Sequence, residues 1–379
     1  MEIEQTQWTN RTGWLPSPPG KLGGSANLAL VFSSSSLVGN PARSAEILSA
    51  FPRAIVLGCS TAGEICGTRV SDDSIVVSAV RFDRSSVGGS IVRFAAGEPS
   101  FQVGKRLAAE LDHSRLRHVF VLSNGLGVNG SDLVRGLASR LPADVAVTGG
   151  LAGDGGRFRH APILWGGSAE SNAVAAIGFY GSGLRIGFGS MGGWDPFGPE
   201  RLVTRSQGNE LFEFDGKSAL ALYKKYLGDH AAGLPATGLF FPLSIRAPGC
   251  ESSLVRTLLA VDETRQSMTF AGDVPEGSLA RLMKANSDRL IDGAVGAAKL
   301  GTNAIAPATP QLAILISCVG RKMVLRQRAE EEIEGVREVL GPDAVLSGFY
   351  SYGEIAPQFP SSRGELHNQT MTVTLLSES

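Results

Sequence analysis

A short pattern that occurs twice constrains this chain more than any other feature. Gly58-Cys-Ser-Thr-Ala-Gly-Glu-Ile65 returns far downstream as Gly348-Phe-Tyr-Ser-Tyr-Gly-Glu-Ile355. Each copy reads glycine, variable residues, a small hydroxyl residue, one more residue, then Gly-Glu-Ile, and each follows an apolar run (Ala54-Ile-Val-Leu57 and Ala344-Val-Leu346). Such a run breaking into glycine-bounded polar residues reads as a buried strand that ends in a loop. A weaker relative, Ala152-Gly153-Asp154, follows Val145-Ala-Val147 and repeats the ending of Ala62-Gly63-Glu64. Recurrence of one strand-and-loop device predicts a fold built from duplicated units, with any site where the loops meet.

At 379 residues the chain exceeds the usual size of one compact core, so two domains are expected. Hydrophobic residues at 43% describe an ordinary globular protein, and 48 glycines argue for many tight loops between α/β elements. The 35 basic and 36 acidic residues leave a net charge of -1, which gives no footprint for nucleic acid or an anionic membrane. No apolar run is long enough to span a bilayer, and the N-terminus lacks the basic and apolar regions of a signal peptide, so a cytoplasmic protein without membrane insertion is expected. Cys59, Cys66, Cys250 and Cys318 show no metal-ligand spacing and read as free thiols.

Along the chain the pattern is α/β: mixed sheets flanked by helices, made of repeated strand-loop-helix-strand units. Residues 1–24, with Trp8, Trp14 and a Pro16–Gly20 turn cluster, have no period and read as an arm over the body. Asn40 before Pro41 forms an N-cap and N1 pair for a helix to Phe51. The strand His118–Leu122 opens a second unit, whose Ser131 is placed to cap a helix over 132–141. Gly181-Ser-Gly183 reads as a hairpin turn between the strands 173–179 and 184–188. The unit from Leu312 to Ile355 repeats the order of Leu28 to Ile65, and a domain junction is expected after residue 217.

The glycine loops are the leading site candidates, because their backbone N–H groups and hydroxyls suit a carboxylate or phosphate while Glu64 or Glu354 can pair with an amine. The competing reading is that both acids accept hydrogen bonds from their own turns and merely fix them. Cys59 follows a strand, where nucleophiles can be presented, but no residue pattern assigns it a base. The five histidines (His113, His118, His160, His230, His367) show no metal spacing, although a single axial haem ligand needs none.

These residues resemble the FIST proteins, sensory modules made of a FIST N and a FIST C domain. The N-terminal match rests on Gly58–Ile65, on Thr148-Gly-Gly-Leu-Ala-Gly-Asp154 and on Asn209–Tyr223 with Asp215-Gly-Lys-Ser-Ala219. The C-terminal match rests on Arg256, Phe270-Ala-Gly-Asp-Val-Pro-Glu-Gly277, Gly348–Ile355 and His367-Asn-Gln-Thr370. The resemblance implies a FIST N-like domain over 25–217, a FIST C-like domain over 218–379, and a non-enzymatic signal-input module for a small molecule such as an amino acid. That ligand would lie among Ser60, Thr61, Gly63 and Glu64; Gly150, Gly153 and Asp154; and Tyr350, Ser351, Tyr352, Gly353 and Glu354, with Asn124 and His367 nearby. Asn124 departs from the aspartate that relatives often carry there. One subgroup is similar to haem-binding nitric-oxide sensors that regulate histidine kinases; it would bring haem b, with His160 or His367 as axial ligand. Output would pass to a partner such as a histidine kinase or cyclase. A Cys59-dependent hydrolase or transferase is the remaining alternative.

Overall fold

The computed structural model describes residues 1–358 and 362–378. It is a mixed α/β structure in which one unit occurs three times. In the first unit the parallel strands Leu28–Ser34 and Ile55–Thr61 are joined by helix Pro41–Ala50. In the second, Leu116–Ser123 and Ala146–Leu151 are joined by helix Gly130–Ala138. In the third, Leu312–Cys318 and Val345–Ser351 are joined by helices Val319–Leu325 and Ala329–Leu340. Parallel neighbours cannot be connected by a tight turn, which is why each pair carries a helical crossover.

Each pair is extended on one side by two antiparallel strands of its own unit: Ser74–Arg81 then Glu2–Thr9, Ala173–Tyr180 then Ser86–Arg93, and Met371–Glu378 then Leu184–Met191. The other side is completed by a hairpin from a different unit. Glu64–Cys66 leaves the first unit and pairs with Val345–Ser351 of the third. Gly353–Ala356 leaves the third and pairs with Ala146–Leu151 of the second. Ile163–Trp165 leaves the second and pairs with Ile55–Thr61 of the first, which closes the cycle. No unit's sheet is whole without a neighbour.

Before each hairpin departs, the paired strands approach closely at a glycine. Gly58, Gly149 and Gly348 lie opposite Val31, Val121 and Leu315, and a Cβ on them would stand 1.9, 1.8 and 1.8 Å from those residues' carbonyl oxygens. Only a residue without a side chain fits there.

Several sequence expectations need correction. The first residues are not an arm: Glu2–Thr9 is a full strand of the first sheet, and Trp8 faces Trp14 across a short hairpin. The tryptophans rest on helix Pro41–Ala50, where Trp14 Nε1 donates to Glu46 at 2.7 Å and the Arg43 guanidinium lies 5.2 Å from the Trp8 ring centroid. Gly181–Gly183 is not a hairpin turn, because the strands on either side of it belong to different sheets. The Asn40 cap is present, its side chain accepting from Arg43 N with Pro41 following. In the second unit, by contrast, Asn129 caps the helix and Ser131 lies in its first turn.

Between strand Leu184–Met191 and helix Ser287–Ile305 the third unit carries an inserted antiparallel module spanning Asp195–Lys284. It has its own core, including Val203, Leu211, Phe214, Tyr223, Met268 and Phe270. The sequence junction after residue 217 falls inside this module, between the two residues of the short strand Lys217–Ser218. The third sheet takes strands from both sides of that point. Among the described residues no helix is long and apolar enough to cross a membrane.

The glycine contacts give a direct test. Gly348→Ala drives a methyl group into the Leu315 carbonyl and is expected to lower the unfolding free energy by about 3 kcal/mol in urea denaturation. Gly24→Ala, whose methyl would meet only the Arg53 guanidinium at 3.4 Å, is expected to stay within about 0.5 kcal/mol of wild type.

Candidate functional site

The three strand-end loops meet and are joined by a ring of backbone hydrogen bonds. Ala62 N donates to Tyr350 O at 2.8 Å, Tyr352 N to Leu151 O at 3.1 Å, and Gly153 N to Ser60 O at 2.9 Å. By strand pairing Gly149 corresponds to Gly58 and Gly348, so Gly153 takes the place of Ala62 and Tyr352. The third loop copy is therefore one residue out of step with its sequence match, and Asp154 arrives earlier than Glu64 and Glu354.

The two glutamates have one geometry. Glu64 accepts from Thr61 Oγ1, from Ser74 N at 3.1 Å and from Ser74 Oγ at 2.7 Å. Glu354 accepts from Ser351 Oγ at 2.6 Å, from Thr370 N at 3.1 Å and from Thr370 Oγ1 at 3.0 Å. Both are buried, and each ties its loop to the start of the next strand of its own unit. This is the geometry of acids that fix a turn. Burial outweighs the hydrogen bonds they accept and raises Glu64 to about 7 and Glu354 to about 8.

Asp154 does something else. It accepts from Phe158 N at 2.8 Å, Arg159 N at 3.0 Å and His160 N at 2.9 Å, and from the Tyr352 hydroxyl of the third unit's loop. Burial works to raise its pKa, but these donors hold it below the ordinary carboxylate value. The turn they fix places Phe158 in a left-handed conformation, φ 52°, with its ring stacked on Tyr352 at 4.4 Å between centroids. A bulky residue at positive φ is strained and persists only where its surroundings impose it.

Phe158 forms part of the wall of a cavity of about 650 Å³ between the second unit's loops, helix Val319–Leu325 and the inserted module. Leu126, Leu234, Pro235, Leu239, Phe240, Leu258, Leu259 and Met323 also line it. Its hydroxyl group, Thr237 Oγ1, already donates to His230 O at 2.7 Å. Helix Val319–Leu325 connects this wall to the ring: Lys322 Nζ donates to Ala62 O at 2.9 Å and lies 5.5 Å from the Tyr350 ring centroid. The Tyr350 hydroxyl donates at 2.7 Å to Glu332, which is fully buried and paired with Arg321 at 2.6 Å.

The remaining candidates are scattered around this centre. Gly150 pairs with Glu354 across the exchanged hairpin, Gly353 with Leu151, and Gly63 lies under the Lys322 side chain. Ser60 is buried, and among the described residues its hydroxyl has no partner. Asn124 accepts from Leu126 N at 2.7 Å and donates to Ser171 O, so it braces the loop entering the cavity. Cys59 is fully buried, and burial pushes its thiol up, with Glu64 adding to the effect; an accessible thiolate is not presented. His367 is buried with Nε2 against Ala356 O at 3.0 Å, and burial lowers its pKa to about 4. His160 is exposed.

Haem b would need an axial donor, and none of the five histidines is among the described residues that line the cavity, where the sulfur ligand on offer is the Met323 thioether. That donor set does not fit a histidine-ligated haem. Phe158, the 233–240 segment and Met323 were not singled out from sequence. An aromatic residue in the glycine-rich Gly155-Gly-Arg-Phe158 loop and the aperiodic apolar run Gly238-Leu-Phe-Phe241 were the available signals.

Three fused α/β units joined through their strand-end loops, with one inserted module roofing a cavity, define a single-chain repeat protein. The chain belongs to the FIST family: a FIST N domain matches residues 27–217 and a FIST C domain matches 219–357. These domains are signal-transduction sensor modules. No curated protein matches the chain. Among solved structures a cyanuric acid hydrolase covers 100% of this chain and 99% of its own at 10% identity, with a TM-score of 0.32, too low to carry an argument.

The buried glutamates set a pH dependence. Their folded pKa values of about 7 and about 8 lie above the ordinary 4.5, so the folded state binds more protons between these values. Stability from this source is full below 4.5 and falls as pH rises through 7 and 8, by up to about 1.4 kcal/mol per pH unit for each group. Urea midpoints of the wild type are expected to decline over that window, and Glu64→Gln/Glu354→Gln to flatten the decline.

Proposed function

We propose that this FIST protein senses a small apolar or aromatic molecule held in the cavity behind Phe158, and that occupancy is relayed to the ring of loops. The observation that carries the reading is Phe158 itself, strained, 39% exposed at the cavity wall, and held there by Asp154 of one loop and Tyr352 of another. The size and apolar lining match those of small-molecule sites. A free amino acid is a poor match, because the described residues of the walls offer no charged pair for its two ends.

A ligand stacked against Phe158 would favour one setting of the 155–160 turn, and through Asp154 and Tyr352 one setting of the loops. Binding transmits a signal only through such differential contact. The second wall, Met323, reaches the ring through Lys322 of the same helix. Output would pass to a partner in the cytoplasm, a histidine kinase or cyclase, and no catalytic step by this chain is part of the proposal.

The test is a titration of aromatic compounds, amino acids and haemin, followed by calorimetry and absorption. Aromatic compounds are expected to bind, and Phe158→Ala to weaken them about tenfold through loss of ring stacking. Binding that is unchanged in both Phe158→Ala and Leu239→Glu would remove the cavity from the site. A haemin spectrum abolished by His160→Ala would favour the haem reading instead.

A further inference from the structure

A second, smaller crevice of about 190 Å³ lies where the inserted module meets the second unit, away from Phe158. Arg256 lines it and is only 3% exposed. Its Nε donates to Asp273 O at 3.0 Å and its Nη1 to Leu366 O at 2.9 Å and Val255 O at 3.4 Å, but among the described residues its Nη2 has only the Glu365 carboxylate, 3.9 Å away. Part of the donor fork is thus open to an incoming acceptor from the crevice.

Ser131 faces the same crevice. It is 3% exposed, and among the described residues its hydroxyl has no hydrogen-bond partner. The cap it could have supplied comes from Asn129, so the hydroxyl is left over at the positive end of helix Gly130–Ala138. The other cation here, Arg135, is already paired with Asp132 and with Asp273 at 3.1 Å, and Asp273 also accepts from Asn129 Nδ2 at 2.9 Å. The unspent donors are therefore Arg256 Nη2 and Ser131 Oγ.

We propose that this crevice is a binding site for a small carboxylate, which accepts from Arg256 Nη2 and Ser131 Oγ and takes the place of the long Glu365 contact. The volume limits the ligand to a few heavy atoms beyond the carboxylate.

Cys250 lines the crevice and is exposed, whereas Cys59 and Cys318 are buried and Cys66 is half-buried, so alkylation by iodoacetamide, read at the Cys250 peptide by mass spectrometry, reports occupancy. Acetate and propionate are expected to slow alkylation of Cys250 saturably in the full chain, with methylammonium without effect. Ser131→Ala removes a hydroxyl that no described residue bonds; it is expected to keep the wild-type melting temperature and to weaken carboxylate protection about tenfold. Arg256→Lys, which keeps the charge and loses the fork, is expected to weaken it further. No protection by either carboxylate, equal protection in Ser131→Ala and wild type, or protection by methylammonium instead would each overturn the proposal. None of these outcomes bears on the aromatic cavity.

Discussion

Three backbone hydrogen bonds, from Ala62 to Tyr350, from Tyr352 to Leu151 and from Gly153 to Ser60, hold the centre of this protein. They connect loops that each hand a hairpin to a neighbour's sheet, so the sheets and the ring are one construction. A break in any of the bonds leaves a buried N–H and carbonyl unpaired. It also disturbs the exchanged hairpin beside it. The close-approach glycines and the buried glutamates belong to the same construction: the first let the strands converge, and the second hold each turn against the strand that follows.

On this scaffold one loop has diverged. Glu64 and Glu354 repeat the same bonds to Ser74 and Thr370, whereas Asp154 reaches a turn that presents Phe158 to a cavity. The inserted module roofs that cavity with Leu234–Phe240 and Leu258–Leu259. Symmetry thus accounts for the frame, and the departures from it for the cavity. Helix Val319–Leu325 joins the two, since Met323 lines the cavity while Lys322 bonds to Ala62.

The repeat was readable because glycine at a close strand approach leaves a strong mark in the sequence, as do Gly-Glu-Ile and the apolar runs before it. The Asp154 copy was found for the same reason but placed one residue out of register, because only strand pairing reveals the slip. The first strand was missed, since Glu2-Ile-Glu-Gln-Thr-Gln-Trp8 is polar at many positions and earns its place by pairing with Ser74–Arg81. The Gly181–Gly183 turn was misread because local turn chemistry cannot tell a hairpin from a crossing between sheets. The cavity left almost no trace: its walls come from several distant segments, each unremarkable alone, and meet only in the folded chain.

The cyclic hand-over of hairpins has a consequence for any one-third of the molecule considered alone. Such a fragment would carry a vacant slot beside its parallel pair and a hairpin with no host, so it could not complete its sheet by itself. It could do so by closing a head-to-tail ring with two copies of itself, a trimer whose axis would run through the three loops. The covalent chain removes the concentration dependence of that assembly. It also allows the second unit to acquire a displaced aspartate and a strained phenylalanine, and the third an insertion, without imposing them on the other units.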